Sequence, residues 1–203
     1  MIIHKLKLIF VHIPKTGGST ISNILVPNIN IHDEKYMEYL YGIKNNKALQ
    51  HLSIIEIKKI VKNTDDYYKF SIVRNPYDRL VSEYYWCQIK NIGNKSGQKF
   101  DDFLNYIIDI FKNNKFDTNI YTDHFIPQYK FLYDDNILKV DKIFKFENFN
   151  NVLQFLKEKY DINTNFYKHL KVHNGNKLNL TQNQKNIIYN LYKKDFELFN
   201  YPK

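Results

Sequence analysis

Cysteine is almost absent from this chain: Cys87 stands alone among 203 residues. A lone thiol excludes an intramolecular disulfide framework, so the fold must rest on burial and hydrogen bonding, and a reducing compartment suits it. Long hydrophobic runs are missing as well, and no apolar stretch approaches the roughly 20 residues of a membrane span. No long basic block and no recognised nucleic-acid motif occurs, which argues against a nucleic-acid partner despite the basic balance. Acidic clusters and His/Cys sets with ligand spacing are lacking too, so no metal is expected. His169 and His173 stand four apart, but Gly175 and the surrounding Asn and Lys make that stretch a loop rather than a ligating helix face. There is no internal repeat, and the Asn-rich texture is diffuse.

What is present is an ordinary globular composition, 43% hydrophobic and 25% charged. The length favours one well-buried domain spanning residues 1–203 over a pair. Net charge is +9, which suits anionic ligands. Abundant Lys, Asn, Ile, Tyr and Phe are also what AT-rich codons produce, so part of the excess is compositional bias. The first glycine-bearing loop follows Met1 by about ten residues, too few for a charged and then an apolar leader region ahead of it, and a cytoplasmic protein is expected.

Strands and helices alternate along the chain, the pattern of a parallel α/β sheet flanked by helices. Strands are expected over 7–12, 68–73 and 142–146, with a short strand leading into His51. Helices are expected over 19–25, 77–90, 101–111 and 150–160. Ser53-Ile54-Ile55-Glu56 is a capping box opening a helix to about residue 62, and Thr181-Gln182-Asn183-Gln184 is a second one opening the last helix. Residues 27–47, 91–99 and 112–123 read as irregular or loop.

Chemistry concentrates in two places. In Phe10-Val11-His12-Ile13-Pro14-Lys15-Thr16-Gly17-Gly18-Ser19-Thr20 a strand ends at Pro14, and two glycines turn backbone N–H groups inward at the start of a helix, a geometry that binds phosphate. Lys15 precedes both glycines, whereas the ATP-binding P-loop places its Lys after the last one, so this is a different nucleotide loop. In Phe70-Ser71-Ile72-Val73-Arg74-Asn75-Pro76 a second strand ends at Arg74, with Pro76 at a first helical position and Ser82 further along that helix.

Together the two stretches resemble the paired signatures of sulfotransferases that use 3′-phosphoadenosine 5′-phosphosulfate, in the carbohydrate branch that includes the Golgi chondroitin and heparan enzymes. Residues 143–149 and 192–201 are similar to the family's late strand and closing helix, and His124-Phe125-Ile126-Pro127-Gln128 to a mid-chain motif of that branch. The resemblance implies a P-loop NTPase-like sulfotransferase fold. It assigns the 5′-phosphosulfate to Lys15, Thr16, Gly17, Gly18, Ser19 and Thr20, and the 3′-phosphate to Arg74 and Ser82. Lys171, His173 and Asn174 resemble the late loop that closes over the nucleotide.

Sulfonate transfer needs a base for the acceptor hydroxyl and a cation on the leaving phosphate oxygen. Lys15 is the expected cation. His51 is the expected base, since Gln50-His51-Leu52-Ser53 resembles the stretch that carries a His in the glycosaminoglycan branch, just ahead of a helix. His124 and Gln128 are expected to line the acceptor pocket, with a saccharide or another hydroxyl compound as acceptor. Glu83 and Asp78 read as solvated or paired on their helix, and Trp86 as core. A nucleoside or small-molecule kinase, and a non-catalytic glycan- or nucleic-acid-binding relative, stay open as alternatives.

Overall fold

The strands of this computed structural model are β1 (Ile2–Ile3), β2 (Leu8–Val11), β3 (Ile43–Lys44), β4 (Lys47–Ala48), β5 (Tyr68–Val73), β6 (Tyr133–Asp134), β7 (Ile137–Leu138) and β8 (Lys142–Lys145). The helices are α1 (Gly18–Leu25), α2 (Ile54–Ile60), α3 (Pro76–Lys90), α4 (Phe100–Lys112), α5 (Tyr129–Leu132), α6 (Phe149–Tyr160) and α7 (Gln182–Leu198). The structure describes residues 1–90, 97–116, 121–164 and 178–203. The chain divides into two compact units, Met1–Val73 with Gln128–Leu170, and Arg74–Pro127 with Lys171–Lys203.

The first unit is built on a four-stranded sheet in the order β1-β2-β5-β8. β2, β5 and β8 run parallel, as the alternating pattern predicts, whereas β1 pairs antiparallel with β2. The sheet is therefore mixed rather than purely parallel. Only a three-residue 3-10 turn, His4–Leu6, and Lys7 in the left-handed region (φ 47°) join β1 to β2, far too little chain for the crossover that a parallel pair needs. Side chains alternate across each strand, so Leu8, Phe10, Phe70, Ile72 and Phe144 share a face. They pack there with Ile21 of α1 and Phe149, Val152 and Leu156 of α6. Phe10 and Phe70, opposite each other in register, stack at 4.9 Å.

Two hairpins complete this unit. β3 and β4 are joined by Asn45-Asn46, and β6 and β7 by Asp135-Asn136; all four linking residues have positive φ, between 45° and 67°. That is the two-residue turn for which Asn and Asp are suited. Within the stretch expected to be irregular, the structure thus has a hairpin arm as well as a 3-10 segment, Glu34–Tyr39, capped by Asp33.

The second unit is helical. α3, α4 and α7 close around Leu80, Cys87, Phe103, Ile107, Ile188 and Phe196. Asn75 starts α3 by accepting the Tyr77 N–H on its side-chain oxygen at 2.9 Å, with Pro76 at the first helical position. Both predicted capping boxes form, at Ser53 for α2 and at Thr181 for α7. Among the described residues, no helix is long and apolar enough to cross a membrane.

Candidate active site

β2 and β5 lie side by side and parallel, so their carboxyl ends open at the same edge of the sheet, the edge where ligands settle in open α/β folds. After β2 the chain passes through His12, Ile13 and Pro14 to Lys15, whose φ of 68° is left-handed, an uncommon state for a residue with a long side chain. Thr16 is buried, and its hydroxyl donates to the Ile13 carbonyl at 2.9 Å. The Thr16 side chain therefore closes the turn. Ser19 is half-buried and Thr20 buried in the first turn of α1.

The two glycines are required for different reasons. Gly17 caps α1 with φ at 85°, and a Cβ there would lie 2.6 Å from Cε2 of Phe149. Gly18 is already helical; a Cβ on it would fall 1.9 Å from Cδ2 of His12. His12 is thus tucked against the start of the helix. Its ring is 5% exposed and stacks on Phe10.

His51 belongs to this same unit. It ends a 3-10 turn, Leu49–His51, two residues before the Ser53 cap of α2. That turn is pinned to the hairpin arm from both sides: the Gly42 N–H donates to Oε1 of Gln50 at 3.1 Å, and the Leu49 N–H donates to the Gly42 carbonyl at 2.8 Å. The half-buried His51 ring meets the ring of His12 edge to face, with centroids 5.1 Å apart. The structure therefore brings the glycine turn, through Gly18, and His51 to a residue that motif reading passed over, His12. A histidine directly after a strand and three residues ahead of Lys15 was the available signal.

The remaining expected residues are placed as follows. Arg74 follows β5 directly and is half-buried, and Ser82 is half-buried within α3, beside the buried stripe of Arg79, Leu80, Glu83 and Cys87. Gln128 is fully buried, and its carbonyl accepts the Phe131 N–H at the start of α5. Lys171, His173 and Asn174 lie outside the described residues, as does His169.

His124 is buried in a 3-10 turn, Thr122–Phe125, of the second unit, and its Nδ1 is 2.9 Å from Oε2 of Glu83. Glu83 is 1% exposed, so it is not solvated; it is paired both on α3, where the Cys87 thiol donates to its Oε1 at 3.4 Å, and with His124 on another element. The physical reason is the helix phase: Glu83 falls on the same inward arc as Arg79, Leu80 and Cys87. Arg79 donates to the carbonyls of His124 at 2.8 Å and Ile126 at 3.1 Å, and the Tyr192 hydroxyl donates to that of Phe125 at 3.0 Å. Three consecutive carbonyls are thereby held by buried donors. Burial holds the Tyr192 hydroxyl well above the usual tyrosine range, a shift that nearby Arg79 opposes and Asp195 and Glu83 reinforce. Trp86 is half-buried against the rings of His124 and Tyr121.

Comparison with known proteins bears on the family of the chain. Human carbohydrate sulfotransferase 9 is 24% identical over an alignment of 241 residues that takes in 97% of this chain and 52% of that protein. The chain thus spans about half the length of that curated relative. No solved structure matches the chain. The family model described as sulfotransferase family matches residues 1–202, nearly the whole chain, and the chain therefore belongs to the sulfotransferase family.

Proposed function

We propose that this protein transfers a sulfonate group from 3′-phosphoadenosine 5′-phosphosulfate to a hydroxyl of a saccharide. The observation that carries the reading is the turn from Lys15 to Thr20, where a cation and a left-handed backbone lead into two obligatory glycines, one capping and one opening a helix, in a chain matched by the sulfotransferase family over residues 1–202. Backbone N–H groups and the helix N-terminus suit the 5′-phosphosulfate, and a guanidinium and a hydroxyl, Arg74 and Ser82, suit the 3′-phosphate. The similarity to human carbohydrate sulfotransferase 9 supports a saccharide acceptor.

In this reading His51 takes the proton of the acceptor hydroxyl as its oxygen attacks sulfur in line. The bond from sulfur to the 5′-phosphate oxygen breaks, and Lys15 meets the charge developing on that oxygen. Adenosine 3′,5′-bisphosphate leaves. The transferred group carries less charge than a phosphoryl group, so the reaction does not demand the divalent clamp of kinases.

Adenosine 3′,5′-bisphosphate tests the reading. A ligand that binds only the folded state raises the melting temperature, and the expected shift is undiminished by chelator. A shift produced by ATP with Mg²⁺ and not by the bisphosphate would overturn the donor assignment in favour of a kinase.

A further inference from the structure

We infer that His12 is a positioning residue that joins the donor loop to the proposed base, so that the start of α1 and the ring of His51 are held as one mechanical piece. The inference rests on the reading of the loop and of His51 given above. It goes beyond that reading by giving a role to a side chain that neither holds the donor nor takes the proton.

Three contacts carry it. On one side, the His12 ring lies so close to Gly18 that any Cβ there would fall 1.9 to 2.6 Å from three of its ring atoms. On the second, it stacks on Phe10 of β2 with centroids 5.6 Å apart and planes 17° from parallel. On the third, it meets the His51 ring at 5.1 Å and 84°. A planar ring stacked on a fully buried sheet residue has little freedom to tilt. Gly18 cannot move toward the sheet without pushing the ring, and the ring cannot move without losing its edge contact to His51. The helix start that would carry the donor's phosphate and the imidazole that would act on the acceptor are therefore referenced to the same rigid point, which is what in-line geometry demands of a transferase.

The test uses the full chain and two readouts that need no acceptor. The first is the Cε1–H NMR resonance of His51, assigned by its loss in His51→Gln. The second is the affinity for adenosine 3′,5′-bisphosphate. His12→Ala is expected to move the His51 resonance and to weaken the bisphosphate about tenfold, roughly 1.4 kcal/mol. His12→Phe keeps a flat ring in the same slot and is expected to preserve affinity within about twofold, with the His51 signal left sharp. Gly18→Ala does not touch His51, yet is expected to move its resonance by displacing the His12 ring.

The double variant His12→Ala/Gly18→Ala decides the matter. The methyl group then enters the space that the imidazole vacated, so stability and affinity lost in Gly18→Ala are expected to return to the level of His12→Ala alone, a coupling that independent sites would not show. Additive losses in the double variant, or an unmoved His51 resonance in Gly18→Ala, overturn the inference. If Gly18→Ala fails to fold, folding of the double variant supports the inference and its failure refutes it. Should the bisphosphate bind none of the proteins while the resonances move as described, the donor assignment fails and the positioning role stands.

Discussion

Replacing Gly17 by alanine separates backbone strain from steric conflict at the donor loop. Gly17 has φ at 85°, and the added methyl would lie 2.6 Å from Cε2 of Phe149 and 3.1 Å from Cε2 of Phe146. An alanine in the left-handed region costs about 1–2 kcal/mol. Forcing a methyl against two packed rings adds about 1–3 kcal/mol, because Phe149 is itself core and yields only by disturbing Val152 and Leu156 on α6. The combined loss of about 2–5 kcal/mol is a large share of the about 5–15 kcal/mol that stabilises a typical domain. Urea denaturation of wild type, Gly17→Ala, Phe149→Leu and the double variant measures it. The double variant relieves the clash and keeps the strain, so its two mutations should be non-additive, recovering about 1–3 kcal/mol relative to the sum of the singles. A loss under about 0.5 kcal/mol in Gly17→Ala, or strict additivity in the cycle, refutes the argument.

Lys15→Gly should divide stability from function: glycine accepts φ of 68° freely, so unfolding free energy stays equal or rises by up to about 1 kcal/mol. Affinity for adenosine 3′,5′-bisphosphate should fall at least tenfold, and a variant that instead loses stability with unchanged affinity would make Lys15 a structural residue. Tyr192 makes a pH-dependent contribution to stability, because its hydroxyl is held protonated above the range where a free tyrosine ionises. Above pH about 10 the unfolded chain releases that proton and the folded chain keeps it, so this contribution is complete below pH about 10 and is lost by about 1.4 kcal/mol per pH unit above it. Tyr192→Phe should cost about 1–2 kcal/mol at pH 7, through the lost bond to the Phe125 carbonyl, and the gap to wild type should close by pH 11. A gap that stays constant with pH in denaturant titrations would refute the assignment.

Much of the sheet and of the glycine turn after β2 was legible in the sequence because each is specified locally. The apolar runs that became β2, β5 and β8, the two capping boxes, and Pro76 at the head of α3 are short-range signals, and the structure places them within a residue or two of expectation. The antiparallel edge β1 was not legible: two residues are too few to show a period, and their partner is fixed by the 3-10 turn that follows. Of the Asn45-Asn46 hairpin only the second strand was legible, as the short strand expected ahead of His51; the first, two residues long, carries no alternation to flag it, although the turn residues are the right ones.

The least legible features were those in which a residue's role is set by what folds onto it. Glu83 is a charged residue on an amphipathic helix, and the usual fate of such a residue is the solvated face. It is buried because His124, 41 residues away in sequence, supplies a partner for its carboxylate at 2.9 Å, and because Arg79, one turn earlier, holds the carbonyl of that same histidine. Neither half of the arrangement pays for itself: a buried carboxylate without a partner is costly, and so is a turn whose carbonyls face no donor. His12 and Gly18 stand in the same relation. Read from sequence the glycine serves a phosphate-binding turn, and in the fold it also clears room for an imidazole six residues earlier, whose other edge reaches His51. Residues that answer to a distant partner leave no periodic or spacing signal of their own, so the motifs pointed to the glycine turn proposed to hold the donor, while the contacts of His12 with Gly18 and His51 became visible only in the folded chain.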